Sequence, residues 1–301
     1  MKNPIIKELV RLKLISKPNL ITLSNKTRDK RVKVKKDLKT KIIFLEKCLT
    51  SDKYYSLLRD RNESKIKKKL KRNIANNKIF YNNIHIPIFD DDFRRTILFE
   101  KYLKNKNILD FGCGWGGFLK NLRNFKSLSG IELRKDCINY IQSNIQKVNI
   151  SNDLNTLEKK FDVITMFHVL EHIPKQIEIL KILKSKLKKK GKIIIEVPHA
   201  EDFLILQDDL KEFKSFSFWS EHLILHTHKS LKTFLFKAGF KNIKIEYYQR
   251  YNLSNHIHWF SKKKPRGHYL YKNPISDKIN LSYCENLKKL GQTDTLIAIA
   301  E

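Results

Sequence analysis

The chain has 301 residues, 41% hydrophobic and 31% charged, which is enough apolar material for a buried core and excludes a wholly disordered chain. A formal net charge of +31 points to nucleic acid, an anionic membrane surface or anionic substrates, with an AT-rich coding bias toward Lys, Ile and Asn as the competing explanation. No apolar run approaches the ~20 residues that span a bilayer, the charged N-terminus is not a signal peptide, and Cys48, Cys113, Cys137 and Cys284 fall at no zinc or CxxC spacing, so a soluble cytoplasmic protein is expected.

The positive charge is concentrated at the front, where residues 1–80 hold 25 Lys/Arg against seven Asp/Glu and no Gly. Ile42, Phe44, Leu45 and Leu49 suggest an amphipathic helix, Tyr54 to Leu58 another, and 64–72 a solvated helix face. Residues 1–89 are therefore read as a basic, mainly helical extension. Asp90, Asp91 and Asp92 mark a helix start, followed by Phe93, Ile97, Leu98 and Leu103 at helical spacing.

From Asn107 the texture alternates. Strands are predicted at 107–111, 127–133, 147–151, 161–167, 192–198, 241–248 and 293–300, and helices at 117–124, 135–144, 177–187 and 230–238, with Gly191 closing the third helix. Alternation of this kind implies a doubly wound α/β fold over residues 90–301, with a mostly parallel seven-stranded sheet covered on both faces. Residues 249–292 interrupt it and are expected to form a substrate cap before the last strand.

The densest signal is LDFGCGWGGFLKNL at 109–122, a glycine turn between a predicted strand and a predicted helix. Glycine is needed where φ is positive or where a ligand touches backbone, and doubly wound sheets bind ligands beyond their strand ends. Gly112, Gly114 and Gly117 also satisfy GxGxxG, and Glu132 lies where a nicotinamide dinucleotide fold places its ribose acid. Asp110 argues against that reading, because a carboxylate at the strand end would repel a pyrophosphate and suit an ammonium group. Gly116 adds the glycine expected for close approach of a bulky cofactor without phosphates.

With its D-x-G-x-G-x-G turn, the stretch 107–198 resembles class I S-adenosylmethionine (SAM) dependent methyltransferases, in the broad group containing ubiquinone-type O-methyltransferases and sugar methyltransferases. The resemblance implies a Rossmann-like methyltransferase fold and SAM as cofactor. It further implies that Asp110, Gly112, Gly114 and Gly116 form the first motif and that Glu132 bonds the ribose hydroxyls. FDVITMFHVLEHI at 161–173 would be the fourth strand and its loop, with Phe167 and His168 facing the cofactor. Asp153 would read the adenine amine.

On the acceptor side, Glu221 and His222 in FWSEHLILHTH resemble a Glu-His pair of sugar methyltransferases, so His222 is the expected general base, oriented by Glu221, with His168 second. Trp219 stands where a Tyr is often found in that pattern. In HVLEH, Glu171 and His172 are read as structural, and no metal ligand set is assigned. Trp219, Arg250, His256 and Arg266 are expected to bind the acceptor, since aromatic rings and hydrogen-bonding groups suit sugars and Arg grips phosphate bidentately. The leading expectation is methyl transfer to a small polar acceptor, such as a sugar or an anionic, nucleotide-linked sugar. The alternatives are an RNA or protein methyltransferase tethered by the basic N-terminal segment, a non-catalytic scaffold, and a nicotinamide enzyme.

Overall fold

The computed structural model describes residues 2–57, 78–81, 84–87, 91–267 and 275–301. The N-terminal segment begins with α1 (Ile5–Arg11), whose Ile5 and Leu9 are buried one turn apart. Strands follow: β1 (Leu20–Ser24), β2 (Val34–Asp37) and β3 (Ile43–Leu45), then α2 (Asp52–Leu57), β4 (Lys78–Tyr81) and β5 (Ile84–Pro87). Among the described residues of this extension strands outnumber helices, which corrects the expectation of a mainly helical segment there. The helix foreseen around Ile42 to Leu49 is instead the fully buried strand β3. Three local causes are visible. Val32 and Val34 alternate with exposed or half-exposed lysines at the strand period. The Asp37 carboxylate accepts the N–H groups of Lys39 and Thr40, which closes a turn. Lys41 then takes a positive φ of 62° that breaks any helix. The short helix begun near Tyr54 is present as α2, whereas the charge run at 64–72 lies outside the described residues.

The remaining elements are α3 (Asp91–Leu98), α4 (Glu100–Leu103), β6 (Asn107–Phe111), α5 (Gly117–Asn121), β7 (Ser127–Ile131), α6 (Lys135–Asn144), β8 (Val148–Ser151), β9 (Phe161–Phe167), α7 (Gln176–Ser185), β10 (Leu187–Pro198), α8 (Phe203–Leu206), α9 (Lys211–Ser217), β11 (Ile224–Leu225), α10 (His228–Lys237), β12 (Lys244–Tyr248), α11 (Leu253–Lys262), α12 (Asp277–Leu290) and β13 (Thr295–Ala300). Seven strands form one sheet in the order β12-β13-β10-β9-β6-β7-β8, the doubly wound, mostly parallel arrangement foreseen from the alternation. The pairs β6–β7, β6–β9 and β7–β8 are parallel, and β12–β13 is antiparallel. One boundary differs. Gly191 lies inside β10 rather than ending a helix, because a side chain there would press on the Lys188 carbonyl at 2.9 Å and the Phe161 carbonyl at 3.1 Å. The excursion at 249–292 contributes α11 and α12.

Two compact units are distinguished. The first comprises Met1–Leu49, His168–Ile182 and Ile195–Ala300, and the second Thr50–Phe167, Leu183–Ile194 and Glu301. Within the first, β1-β2-β3-β11 form a separate antiparallel sheet in which Phe44 faces Ile224 and Ile43 faces Leu225. Buried Asn3 fastens it by donating to the carbonyls of Leu45 and Leu223, both at 2.9 Å. The second unit holds the glycine turn, packed by buried Trp115, Cys137 and Tyr140. Among the described residues no helix is long and apolar enough to cross a membrane.

Candidate active site

The glycine turn is held by its own acids. Gly112, Gly114 and Gly116 have φ of 77°, 53° and 71°, a region that other residues enter at a cost. Gly116 caps α5 from this conformation, and a methyl there would lie 2.7 Å from Ile145 Cδ1 and 2.8 Å from Ile141 Cγ1. Packing against α6 therefore requires this glycine before any ligand is considered. Glu132, at the end of β7, accepts the Gly114 N–H at 2.8 Å with one oxygen and the N–H groups of Leu133 and Arg134 at 2.9 and 3.0 Å with the other. The carboxylate thus clasps the turn.

Asp110 sits at the end of β6, opposite Gly130 on one side and Thr165 on the other. It is 3% exposed, and the Thr165 hydroxyl donates to it at 2.7 Å. Burial pushes its pKa up to about 7, against the Thr165 hydrogen bond and the charge of Arg95, while Asp92 and Glu132 add like-charge repulsion. Phe167 packs between Phe99, stacked at 5.7 Å, and Phe118, edge-on at 5.0 Å, with the Arg95 guanidinium over its ring at 4.6 Å. Buried Arg94 and Arg95 pair with Asp91 and Asp92 at 3.1 and 3.3 Å. These arginines were missed in the sequence, although DDDFRR places acids and bases one helical turn apart. Asp153 is exposed and caps its own turn by accepting the Asn155 N–H at 2.9 Å.

A second cluster lies in the first unit. His168 has φ of 53°, its N–H donates to the Glu196 carbonyl, and its ring sits between two fully buried carboxylates, 3.3 Å from Glu171 and 3.1 Å from Glu196. Burial and Arg250, whose guanidinium is 3.0 Å from Nε2, depress the ring's pKa, but the bonds to Glu171 and Glu196 outweigh them and raise it. His168, the second candidate base, thus lies between two carboxylates and a guanidinium. The rings of His172 and His222 meet edge-on at 4.8 Å. Burial, then the His172 charge, drives His222 down to about 3, so it stays neutral and is a weak proton acceptor. The Glu221 carboxylate lies 3.9 Å from His172, and the charges bearing on His222 are His172, Glu171, His168 and Asp29. The expected Glu221–His222 pairing is thus replaced by Glu221 beside His172, since adjacent residues of a turn project in different directions.

The sequence profile of the methyltransferase domain family matches residues 87–245, more than half of the chain. The chain belongs to this methyltransferase family, in the class I SAM-dependent group. Curated relatives include a tRNA U34 carboxymethyltransferase of Nautilia profundicola, 30% identical over 47% of this chain and 50% of its own, and a ubiquinone biosynthesis O-methyltransferase of Glaesserella parasuis, 29% identical over 31% and 45%. The chain spans about half the length of these relatives. A solved SAM-dependent methyltransferase from Archaeoglobus fulgidus aligns with 69% of this chain and 91% of its own at 23% identity, with a TM-score of 0.47.

The expected acceptor residues are dispersed. Arg250 reaches His168, and Asp294 accepts its backbone N–H. Trp219 is 37% exposed and stacks with Arg28, whose guanidinium lies 4.4 Å above the ring. His256 is 2% exposed, bonded to the Tyr283 hydroxyl at 2.7 Å and stacked on Phe203, so it ties α11 to α12 instead of facing an acceptor. Arg266 is exposed beyond the end of α11, at φ of 82°. The structure also assembles a set that was not assigned from sequence. Glu171, His172 and His222 each offer a ligand atom within 4.8 Å of the others, and one Glu171 oxygen and His222 Nδ1 are buried without a hydrogen-bond partner. Two imidazoles and a carboxylate could hold a divalent transition metal. The sequence signal was the Glu-His pair of HVLEH; its third member lies 50 residues further along the chain.

Proposed function

We propose that the protein transfers a methyl group from SAM to a polar acceptor, with the cofactor held by the glycine turn and Asp110 and Glu132 as its recognition acids. The observation that carries this reading is Asp110, a buried carboxylate that burial has pushed up to about 7 and that a cationic ligand would return to its ionised form. The residues present fit such a ligand. Asp110 offers an anion for an ammonium, Glu132 is fixed by three backbone N–H groups with lone pairs left for hydroxyls, and the turn is bare backbone. The cofactor supplies an already activated methyl, so the chain's task is to position the acceptor and exclude water. Calorimetric titration with SAM tests the reading, and absence of binding to the purified chain ends it.

For the acceptor, the small polar metabolite of the leading expectation meets two difficulties. His256 is committed to packing, and the relatives' names refer to tRNA and to ubiquinone biosynthesis rather than to sugars. An RNA acceptor is the second reading, supported by the tRNA-directed relative and by the basic N-terminal sheet, which hydrogen-bonds through Leu45 to Leu223, next to His222. Incubation with labelled SAM, followed by separation of RNA from small molecules, decides between them by where the label appears.

A further inference from the structure

We propose that residues 26–41, together with Phe216 and Trp219, form a docking surface for single-stranded RNA; this rests on the RNA reading above. Residues 26–41 carry nine Lys/Arg and two acids. Both acids are engaged locally. Asp29 accepts the Ser220 hydroxyl and N–H at 2.6 and 3.0 Å, and Asp37 accepts N–H groups of Ser16, Lys39 and Thr40. Among the described residues none of the nine cations is in an ion pair, while a few lysines elsewhere are, as in Lys175–Glu178 and Lys188–Asp162. Lys36 shows the crowding directly. Burial lowers its pKa and the charges of Lys41 and Lys214 lower it further, against the smaller opposing effects of Glu201 and Asp208. Lys35 and Lys36 stand on the hydrogen-bonded strand β2, and Lys39 and Lys41 on the turn that the Asp37 carboxylate closes, so the spacing of these four is set before a polyanion arrives.

The same face carries a ring platform. The Arg28 guanidinium lies 4.1 Å over Phe216 and 4.4 Å over Trp219, and the Arg28 N–H donates to the Phe218 carbonyl at 2.7 Å. An exposed indole beside cations stacks an unpaired base while the lysines follow the phosphates. A base inside a duplex is not available for such stacking, which is why the fit is to a single strand.

The test is fluorescence anisotropy of the full chain with a labelled single-stranded RNA across a salt series. About five phosphate contacts give a slope of log affinity against log salt of about −3.5. The triple variant Lys30→Glu, Arg31→Glu, Lys33→Glu should make the slope shallower by about 2 and lower affinity at least about tenfold. Trp219→Ala should lower affinity about tenfold and leave the slope unchanged. If the triple variant melts early, Lys39→Glu with Lys41→Glu at the exposed turn replaces it. A salt-independent wild type, charge reversal without effect, or Trp219→Ala binding as tightly as wild type overturns the proposal. So does displacement of RNA by vesicles of phosphatidylserine in phosphatidylcholine, which would make the face a membrane surface. SAM titration of the triple variant should match wild type. RNA binding that fails while SAM binds sinks the surface alone, and SAM binding that fails while RNA binds sinks only the methyl-transfer reading.

Discussion

Two buried carboxylates, one in each unit, meet opposite fates. Asp110 is 3% exposed and is driven up to about 7, while Glu171 is fully buried and is held down to about 2. Burial raises both. At Glu171 the hydrogen bond from His168 and the charges of His172 and His168 reverse it, whereas Asp110 has one neutral hydroxyl and an arginine that already faces Asp92. The contrast teaches that burial alone does not mark a ligand site. Glu171 has its cationic partner built in, and Asp110 does not.

Breaking the satisfied acid should have the largest effect. Glu171→Gln removes the charge of a fully buried carboxylate that His168 and His172 hold in its ionised form, and should cost about 3–5 kcal/mol in urea unfolding. An unchanged midpoint would show that His168 needs no counter-charge. Asp110→Asn should behave oppositely. SAM affinity should fall about 100-fold, near 2.7 kcal/mol, yet the ligand-free variant should melt above wild type at pH 8. The sign follows from linkage. A carboxyl raised from 3.8 to about 7 binds its proton more tightly when folded, so stability declines as pH climbs through that window and levels off above it. Gly116→Ala should destabilise by about 1–3 kcal/mol through its clash with Ile141 and Ile145, whether or not SAM is present. The smallest effect sharpens the contrast by pH. SAM affinity should drop about tenfold between pH 8 and pH 6 as Asp110 protonates, and a flat profile would place the ammonium elsewhere.

The parallel core was legible from local pattern. β6, β7, α6, β8 and β9 lie within two residues of their expected ends, because apolar runs bounded by glycine and polar turns leave few alternatives. The glycine turn was legible for the same reason, since three positive-φ positions between a strand and a helix restrict residue choice. The partners of the acids were not. Thr165 reaches Asp110 across 55 residues, and Glu196 reaches His168 from β10. Chain spacing carries no trace of either contact. His256 was misjudged because a histidine among aromatics reads the same whether its ring meets an acceptor or Tyr283.

By itself, the order of residues determined the alternation of strands and helices, the place of the turn and the excess of positive charge, all properties of a segment and its near neighbours. Tertiary structure alone decided that β3 is a strand held between β2 and β11, that His222 meets Glu171 and His172, and that Asp110 goes without a strong counter-charge. Pairing energy and desolvation depend on what lies within a few ångströms in space, and the folded chain brings those neighbours from far away in sequence.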